Sequence, residues 1–207
     1  MPRMQWNALL SSQRPGQMPQ QGDGRTEFQR DIDRLLFSDA FRRLARKTQV
    51  HPLNENDHIH SRLTHSLETS SVGRSLGEKI GSFLEENGEL PEGMFPFHLG
   101  QIVQAACLAH DIGNPPFGHS GENAIKNWFN KNPQAIEHLP AACRTDFTKF
   151  DGNAMSVRVL ASTGFYNAGM GTTHAVLGAL LKYPWDSGFD AGKDKFSCFQ
   201  TESHAVG

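Results

Sequence analysis

The stretch Leu99–Asp111, LGQIVQAACLAHD, decides the fold. It is apolar along most of its length, which predicts a helix buried in the centre of the molecule. The residues Gly113–Pro116, GNPP, follow almost directly and cannot continue the helix. His110 and Asp111 are therefore expected at the end of a buried helix, where polar side chains need partners.

An earlier helical pattern begins at Thr26, which forms a capping box with Gln29. Apolar residues then recur near helical spacing, so we predict one helix from Glu27 to about Lys47. The aromatic residues that fall on this spacing and are expected in the core are Phe28, Phe37 and Phe41.

A second periodic stretch follows the loop that carries Pro52 and Asn54. It stops at Asn87 and Gly88, which are typical of a helix C-terminus. The stretch predicts a long helix with His65 in its first turns. Its periodic apolar residues are Leu63, Leu67, Leu76, Ile80, Phe83 and Leu84.

Beyond the GNPP turn, the pattern remains helical. Ser120 is placed to cap a helix that continues to Phe129, and weaker helical patterns cover Asn153–Leu160 and Thr172–Lys182. No alternating strand of any length is present, and no repeat recurs at a period of about 20 to 50 residues. The sequence therefore predicts an all-α helical bundle.

The composition favours a folded, soluble protein from a reducing compartment. Hydrophobic residues make up 37% of the 207 residues, and the formal net charge of −2 offers no global attraction for nucleic acid. No apolar run reaches the length of a membrane span, and the first residues lack a secretory apolar core. The three cysteines, Cys107, Cys143 and Cys198, are dispersed, which argues against disulfides and a thiolate zinc site. We expect a cytoplasmic protein.

The chain divides into three predicted parts. Residues 1–24 form an N-terminal segment that includes a connector rich in Gln, Pro and Gly from Ser11 to Gly24. Residues 25–183 form the helical domain. Residues 184–207 have little periodicity and are expected to be an irregular tail.

The adjacent pair His110 and Asp111 suggests a metal site. A carboxylate beside an apolar run is costly unless it is paired or bound to a metal. Imidazole and carboxylate ligands together suit Mg, Mn, Fe, Co, Ni or Zn, and His65 offers a third ligand from another helix. When the dipeptide is considered alone, a capped helix end with a hydrogen-bonded histidine is the better explanation.

A second pair of polar residues follows the GNPP turn. His119 and Glu122 are three residues apart on the next predicted helix and so lie on one face. Glu122 could orient His119 and raise its basicity, as a general acid or base requires. A surface histidine beside an acidic residue in the first helical turn would show the same spacing.

Several long motifs occur in one order along the chain and resemble the bacterial deoxyguanosinetriphosphate triphosphohydrolase family, within the HD-domain superfamily of metal-dependent phosphohydrolases. The main motifs are RTEFQRDIDRLLFSDAFRRLARKTQV from Arg25, ENDHIHSRLTHSLETSSVGRSLG from Glu55, AHDIGNPPFGHSGE from Ala109 and FDGNAMSVRVL from Phe150. Shorter matches are WNALLS from Trp6 and ALLKYPW before Asp186.

The resemblance implies an all-helical HD-domain hydrolase that converts a deoxynucleoside triphosphate, with dGTP the expected substrate, to the deoxynucleoside and tripolyphosphate. It implies a divalent cofactor, Mg or Mn before Co, Ni, Fe or Zn. The residues that match the family motifs are His65, His110 and Asp111 as metal ligands, His119 and Glu122 as the catalytic acid–base pair, and Arg62, Gln49 and Asn114 at the substrate. His58 and His60 are not used by the motif, and we do not expect them to be ligands.

The superfamily site has a fourth ligand, a distal aspartate on a later helix, and no such helix is predicted before Gly207. The nearby Asp186, Asp190 and Asp194 lie in a stretch without helical periodicity and are not expected to replace it. We therefore expect the chain to be the N-terminal piece of such an enzyme, truncated at its C-terminus, with little or no dNTP hydrolysis of its own.

Two alternatives remain beside the triphosphohydrolase interpretation. The chain could be a non-catalytic remnant or an interaction module that uses uncovered apolar helix faces. It could also be another HD-domain nucleotide phosphohydrolase, which the release of tripolyphosphate would exclude. Family resemblance further implies homo-oligomers and binding of single-stranded DNA by some members, whereas no membrane partner is expected.

Overall fold

The computed structural model describes residues 5–15, 23–49, 61–161, 170–189 and 195–205, and within these ranges all regular structure is helical. The α-helices are α1 (Trp6–Leu9), α2 (Glu27–Phe37), α3 (Asp39–Arg42), α4 (Arg62–Glu86), α5 (Pro96–Ala109), α6 (Gly118–Lys131), α7 (Ala141–Thr148), α8 (Gly152–Ala161) and α9 (His174–Leu180). Short 3-10 helices cover Arg43–Arg46, Pro133–Ala135 and Gln200–Ala205. The prediction of an all-α fold is confirmed.

The centre of the bundle is the antiparallel pair α4 and α5. Their backbones come into close contact because glycine lies where they cross: a Cβ atom on Gly77 would be 2.7 Å from the carbonyl oxygen of Leu99. α5 also packs against α2 and α9. The apolar residues of this core include Phe28, Ile32, Leu35, Ile102, Ala105, Leu108, Val176 and Leu177.

The region predicted as one helix from Glu27 to Lys47 is instead divided at Ser38. The Ser38 hydroxyl accepts a hydrogen bond from the amide of Phe41 and so caps α3, while its backbone is extended. This break corrects the assignment of Phe37 to the core, because its side chain lies at the end of α2 and is 72% exposed. Phe28 and Phe41 are buried as expected.

The GNPP turn ends α5 as predicted, but the next helix begins earlier than expected. α6 starts at Gly118, so Ser120 lies within the helix and does not cap it. Phe117 occupies the N-cap position with a φ of 65°. This left-handed conformation costs a bulky residue about 1–2 kcal/mol. It turns the chain sharply enough to put His119 in the first turn of α6.

The described residues that follow Pro184 pack against α8. Phe196 and Phe199 are buried and form a cluster with Ala154. Trp185 donates a hydrogen bond from Nε1 to the carbonyl oxygen of Lys195 at 2.7 Å. These contacts fix residues 195–199 beside the start of α8, although the segment contains little regular structure.

Among the described helices, none combines the length and apolar character needed to cross a membrane. Several features of the sequence lie outside the described residues. They are part of the connector between Ser11 and Gly24, the loop with Pro52 and Asn54, His58 and His60, and Asp190 and Asp194.

Candidate metal centre and acid–base pair

The structure brings His65, His110 and Asp111 together. His65 lies in the first turn of α4, and the other two residues directly follow the last residue of α5. One ligand atom from each residue lies within 4.8 Å of the others. Two imidazole nitrogens and one carboxylate oxygen at this spacing fit a divalent cation with mixed nitrogen and oxygen ligands. The role of the three residues as ligands remains a prediction.

Hydrogen bonding orients the ring of His110. Its Nδ1 atom lies 2.7 Å from the carbonyl oxygen of Cys107, which can only accept a hydrogen bond. This contact requires a proton on Nδ1 and leaves the lone pair of Nε2 free for a metal, a common arrangement for histidine ligands. The His65 ring meets the His110 ring edge-on, with ring centroids 5.2 Å apart.

Both oxygens of Asp111 have partners from the predicted substrate residues. Arg62 donates from Nη1 to Oδ2 at 2.7 Å, and Asn114 donates from Nδ2 to Oδ1 at 2.5 Å. Asp111 is only 7% exposed, so these contacts stabilise a carboxylate that would otherwise be costly to bury. The buried Nε atom of Arg62 has no hydrogen-bond partner, which leaves one donor for an anionic ligand.

A second positively charged residue, Lys47, lies close to this centre and was not among the predicted site residues. Lys47 donates from Nζ to the carbonyl oxygen of Asn114 at 2.7 Å. Burial lowers the pKa of Lys47, and the positive charges of Arg43 and Arg62 lower it further. Lys47 stands two residues before Gln49 in the KTQV motif. The side-chain oxygen of Gln49 is buried without a partner and so could accept a hydrogen bond from a substrate.

The predicted acid–base pair also forms in the structure. His119 Nδ1 lies 3.0 Å from Glu122 Oε2, and the His119 side chain is 87% exposed while Glu122 is buried. The carboxylate therefore orients the ring, and the second ring nitrogen remains open to a bound molecule. This arrangement can transfer a proton at Nε2. The catalytic role of the pair remains a prediction.

Glu122 remains ionised despite its burial. Burial alone raises its pKa, but hydrogen bonds from His119 and from the amide of Gly152, together with the charge of Lys195, outweigh this effect. The net result is a pKa below the ordinary value of 4.5 for glutamate. An ionised Glu122 is the form that accepts the Nδ1–H group of His119.

The metal centre and the acid–base pair meet at Gly152. A Cβ atom on this glycine would be 2.2 Å from Oδ1 of Asn114 and 2.9 Å from Oε1 of Glu122. The Asn114 side chain contacts Asp111, and the Glu122 side chain contacts His119. The absence of a side chain at Gly152 thus lets the two groups of polar residues form one continuous site.

Lys195 is the second site residue that sequence reasoning missed. Its Nζ atom lies 2.9 Å from Asp151 Oδ2 and 3.6 Å from Glu122 Oε2. The residue belongs to a segment without helical periodicity, so no pattern indicated that it would return to the start of α8. Three alternative aspartates precede it. Asp190 and Asp194 lie outside the described residues, and Asp186 accepts a hydrogen bond from Gln200.

Comparison with known proteins gives the site a family context. Residues 62–144 match the HD domain family. The chain is 52% identical over 209 residues to a deoxyguanosinetriphosphate triphosphohydrolase-like protein of Pseudomonas aeruginosa, which covers 96% of this chain and 47% of the relative. A protein of the same description from Synechocystis is 42% identical and covers 89% of the chain and 43% of the relative.

A deoxyguanosinetriphosphate triphosphohydrolase of Yersinia pestis is 36% identical over 84% of the chain and 40% of its own length. The chain thus spans about half the length of the curated relatives it matches. The HD domain match contains seven of the eight predicted site residues, and Gln49 lies outside it. The seven are Arg62, His65, His110, Asp111, Asn114, His119 and Glu122. The chain therefore contains a match to the HD domain at residues 62–144 and is similar along nearly its whole length to part of the deoxyguanosinetriphosphate triphosphohydrolase-like proteins.

Proposed function

We propose that the site supports metal-dependent hydrolysis of deoxynucleoside triphosphates, with dGTP the expected substrate, to the deoxynucleoside and tripolyphosphate. The observation that carries this proposal is the continuity of the three candidate ligands with the His119–Glu122 pair, as one site of an HD domain. The relatives that match the chain are named for dGTP, which supports the choice of substrate.

His65, His110 and Asp111 would hold the divalent cation, for which we propose Mg or Mn. The carboxylate oxygen suits either ion and neither ion needs thiolates, while the two imidazole nitrogens suit Mn better than Mg. When bound, the cation supplies Lewis acidity and charge neutralisation at a phosphate.

We also propose that the protein is located in the cytoplasm.

The basic residues of the site are placed for the triphosphate. Arg62 is buried against Asp111 and presents a planar group that suits phosphate oxygens. Lys47 adds a second positive charge beside Asn114. Gln49 can accept a hydrogen bond from a sugar hydroxyl through its unpartnered oxygen.

His119 is proposed to move the proton of the reaction. Its Nδ1–H group donates to Glu122, so Nε2 is the atom that takes up or releases a proton. The negative charge of Glu122 stabilises the imidazolium form of His119 while the proton is held. The high exposure of His119 leaves Nε2 accessible to a substrate.

Product analysis tests this proposal. The purified chain, at a concentration comparable to that of dGTP so that slow turnover is visible, is incubated with Mn²⁺, and the products are separated by ion exchange. Deoxyguanosine and tripolyphosphate in equal amounts support the proposed reaction. Release of pyrophosphate or of single phosphate would instead indicate another HD-domain phosphohydrolase.

The absence of any product, with Mn²⁺ bound, would match the little or no hydrolysis expected of this chain alone and would favour a non-catalytic binding role for it. One observation gives that second candidate support: an exposed apolar row runs along α4 and comprises Val72, Leu76, Ile80 and Phe83. Such a surface is typical of protein interfaces.

Homo-oligomers are therefore the proposed assembly of the chain. Binding of single-stranded DNA is a weaker proposal, because the net charge of −2 offers no general attraction for nucleic acid.

A further inference from the structure

Lys195 lies between two buried carboxylates at the edge of the site. Its Nζ atom is 2.9 Å from Asp151 Oδ2 and 3.6 Å from Glu122 Oε2. The side chains of Asp151 and Glu122 are 0% and 5% exposed, whereas Lys195 is 32% exposed. Two carboxylates buried close together disfavour each other's charged form unless a cation compensates them. Lys195 is the group that provides this compensation.

The backbone of Lys195 is held by contacts that do not involve its charge. Trp185 donates to its carbonyl oxygen, and the neighbouring Phe196 is buried against Ala154 of α8. Asp151 is fixed as well, because its Oδ1 atom accepts hydrogen bonds from the amide and side chain of Asn153. The ammonium group is thus delivered to the carboxylates by a segment that is already anchored.

Glu122 is constrained at both of its oxygens. Oε1 accepts a hydrogen bond from the amide of Gly152 at 2.9 Å, and Oε2 lies 3.0 Å from His119 Nδ1. Lys195 approaches the same Oε2 atom that faces His119. Loss of the lysine would therefore change the charge at the oxygen on which the orientation of His119 depends.

We propose that Lys195 is a positioning residue for the His119–Glu122 pair: by bridging Asp151 and Glu122 it holds Glu122 ionised, with Oε2 directed at His119. The proposal rests on the proposed catalytic function of that pair. Lys195 itself does not need to touch the substrate. The segment around residue 195 is then a component of the site.

The charges that face Glu122 support this role. They are His119 from its own helix and Lys195 from the C-terminal segment. Asp151, which precedes α8, contacts the same ammonium group of Lys195. Burial lowers the pKa of Lys195, but Asp151 and Glu122 outweigh burial and raise it, so the lysine stays charged. Without this cation, the two carboxylates would compete, and a proton would be retained on one of them at higher pH.

The direct test is a pH titration of Glu122 in the 207-residue chain. The ¹³C NMR signal of the Glu122 carboxyl group reports its protonation at each pH. In Lys195→Met, we expect the titration midpoint of Glu122 to rise by about one pH unit or more, as for a carboxyl that loses a nearby cation. Lys195→Arg should preserve the midpoint, because the charge is kept. Lys131→Met is the matched control, since Lys131 is exposed at the far end of α6.

Two additional measurements separate positioning from simple stabilisation. In the double variant Asp151→Asn with Lys195→Met, the titration midpoint of Glu122 should return toward the wild-type value, because the competing carboxylate is gone.

If dGTP hydrolysis is measurable, Lys195→Met should reduce kcat by about tenfold with little change in KM. The acidic limb of the plot of kcat against pH should move to higher pH. Lys195→Arg should restore most of the activity.

An unchanged Glu122 midpoint in a folded Lys195→Met chain would overturn the proposal, whatever the activity. If Lys195→Met does not fold, Lys195→Gln is titrated in its place, with the same expected rise. A wild-type chain that hydrolyses no dGTP would count against the proposed function alone. The titration would still decide whether Lys195 holds Glu122 in its ionised form.

Discussion

His110 and His119 each have one ring nitrogen committed to a fixed acceptor, and this leaves the other nitrogen free. The acceptor is the Cys107 carbonyl oxygen for His110 and the Glu122 carboxylate for His119. The difference matches the two proposed roles. A neutral acceptor suits a metal ligand that stays neutral, whereas a charged acceptor suits a histidine that must carry a proton temporarily.

Cys198 provides a test of how firmly the C-terminal segment is packed. Burial, followed by the negative charges of Asp186, Glu202 and Asp146, raises the pKa of its thiol from 9.0 to about 11. The folded state therefore holds this proton more tightly than the unfolded state. Its contribution to stability is present below pH 9 and is lost as the pH rises toward 11.

We expect the free energy of unfolding of the wild type to fall by about 2 kcal/mol more than that of Cys198→Ser between pH 8 and pH 11. Urea denaturation at both pH values measures the difference. The change in the free energy of unfolding with pH is compared between the two proteins, because the substitution itself can alter stability by an amount that does not depend on pH. Parallel slopes for the two proteins would mean that Cys198 is accessible to solvent.

At the scale of elements, the contact between α4 and α5 depends on glycine. Gly77→Ala improves helix propensity by about 1 kcal/mol but puts Cβ 2.7 Å from the Leu99 carbonyl oxygen, which cannot move without shifting α5. We expect a net loss of up to about 2 kcal/mol in the free energy of unfolding, since overpacking typically costs about 1–3 kcal/mol and the propensity gain offsets part of that cost.

Gly178→Ala in α9 is the matched control for this change. No atom lies within 4 Å of a Cβ at that position, so only the gain in helix propensity remains. Chemical denaturation should show the Gly178 variant to be more stable than the wild type and the Gly77 variant less stable. Equal stabilisation of both variants would show that the two helices are farther apart than described.

The helices themselves differ in how well the sequence predicts them. The end of α4 was predicted from Asn87, which is its C-cap in the structure. Its start was not predicted: Ser61 is the N-cap, and its side chain accepts a hydrogen bond from the amide of Thr64. The break at Ser38 was missed because apolar periodicity continues across it from Leu35 to Phe41. A serine that caps a new turn within a periodic stretch is a weaker signal than the hydrophobic pattern.

At the scale of the whole molecule, the exposed row on α4 predicts association. Val72, Leu76, Ile80 and Phe83 are each more than half exposed, although they lie on a single helix face. Analytical ultracentrifugation should reveal concentration-dependent self-association of the chain. The double change Leu76→Glu with Ile80→Glu should reduce it, whereas Glu85→Gln on the same helix should not. A monomer at all concentrations would contradict this expectation.

Some residues of the candidate site could be predicted from the sequence, and others could not. His110, Asp111, His119 and Glu122 were found because they lie close together around one turn, where motif and spacing are informative. Lys47 and Lys195 were not found, since each reaches the site from a segment distant in sequence and neither has a distinctive local pattern. Their placement is a consequence of packing between segments, which periodicity does not encode.

The central claim is that His65, His110 and Asp111 together hold a divalent cation, and calorimetric titration of the chain with Mn²⁺ tests it most directly. We expect one site per chain, a loss of affinity of about 100-fold or more in Asp111→Asn, and little change in His119→Ala. Circular dichroism verifies that both variants remain folded. Unchanged affinity in Asp111→Asn, or an equal loss in His119→Ala, would contradict the assignment of the metal centre.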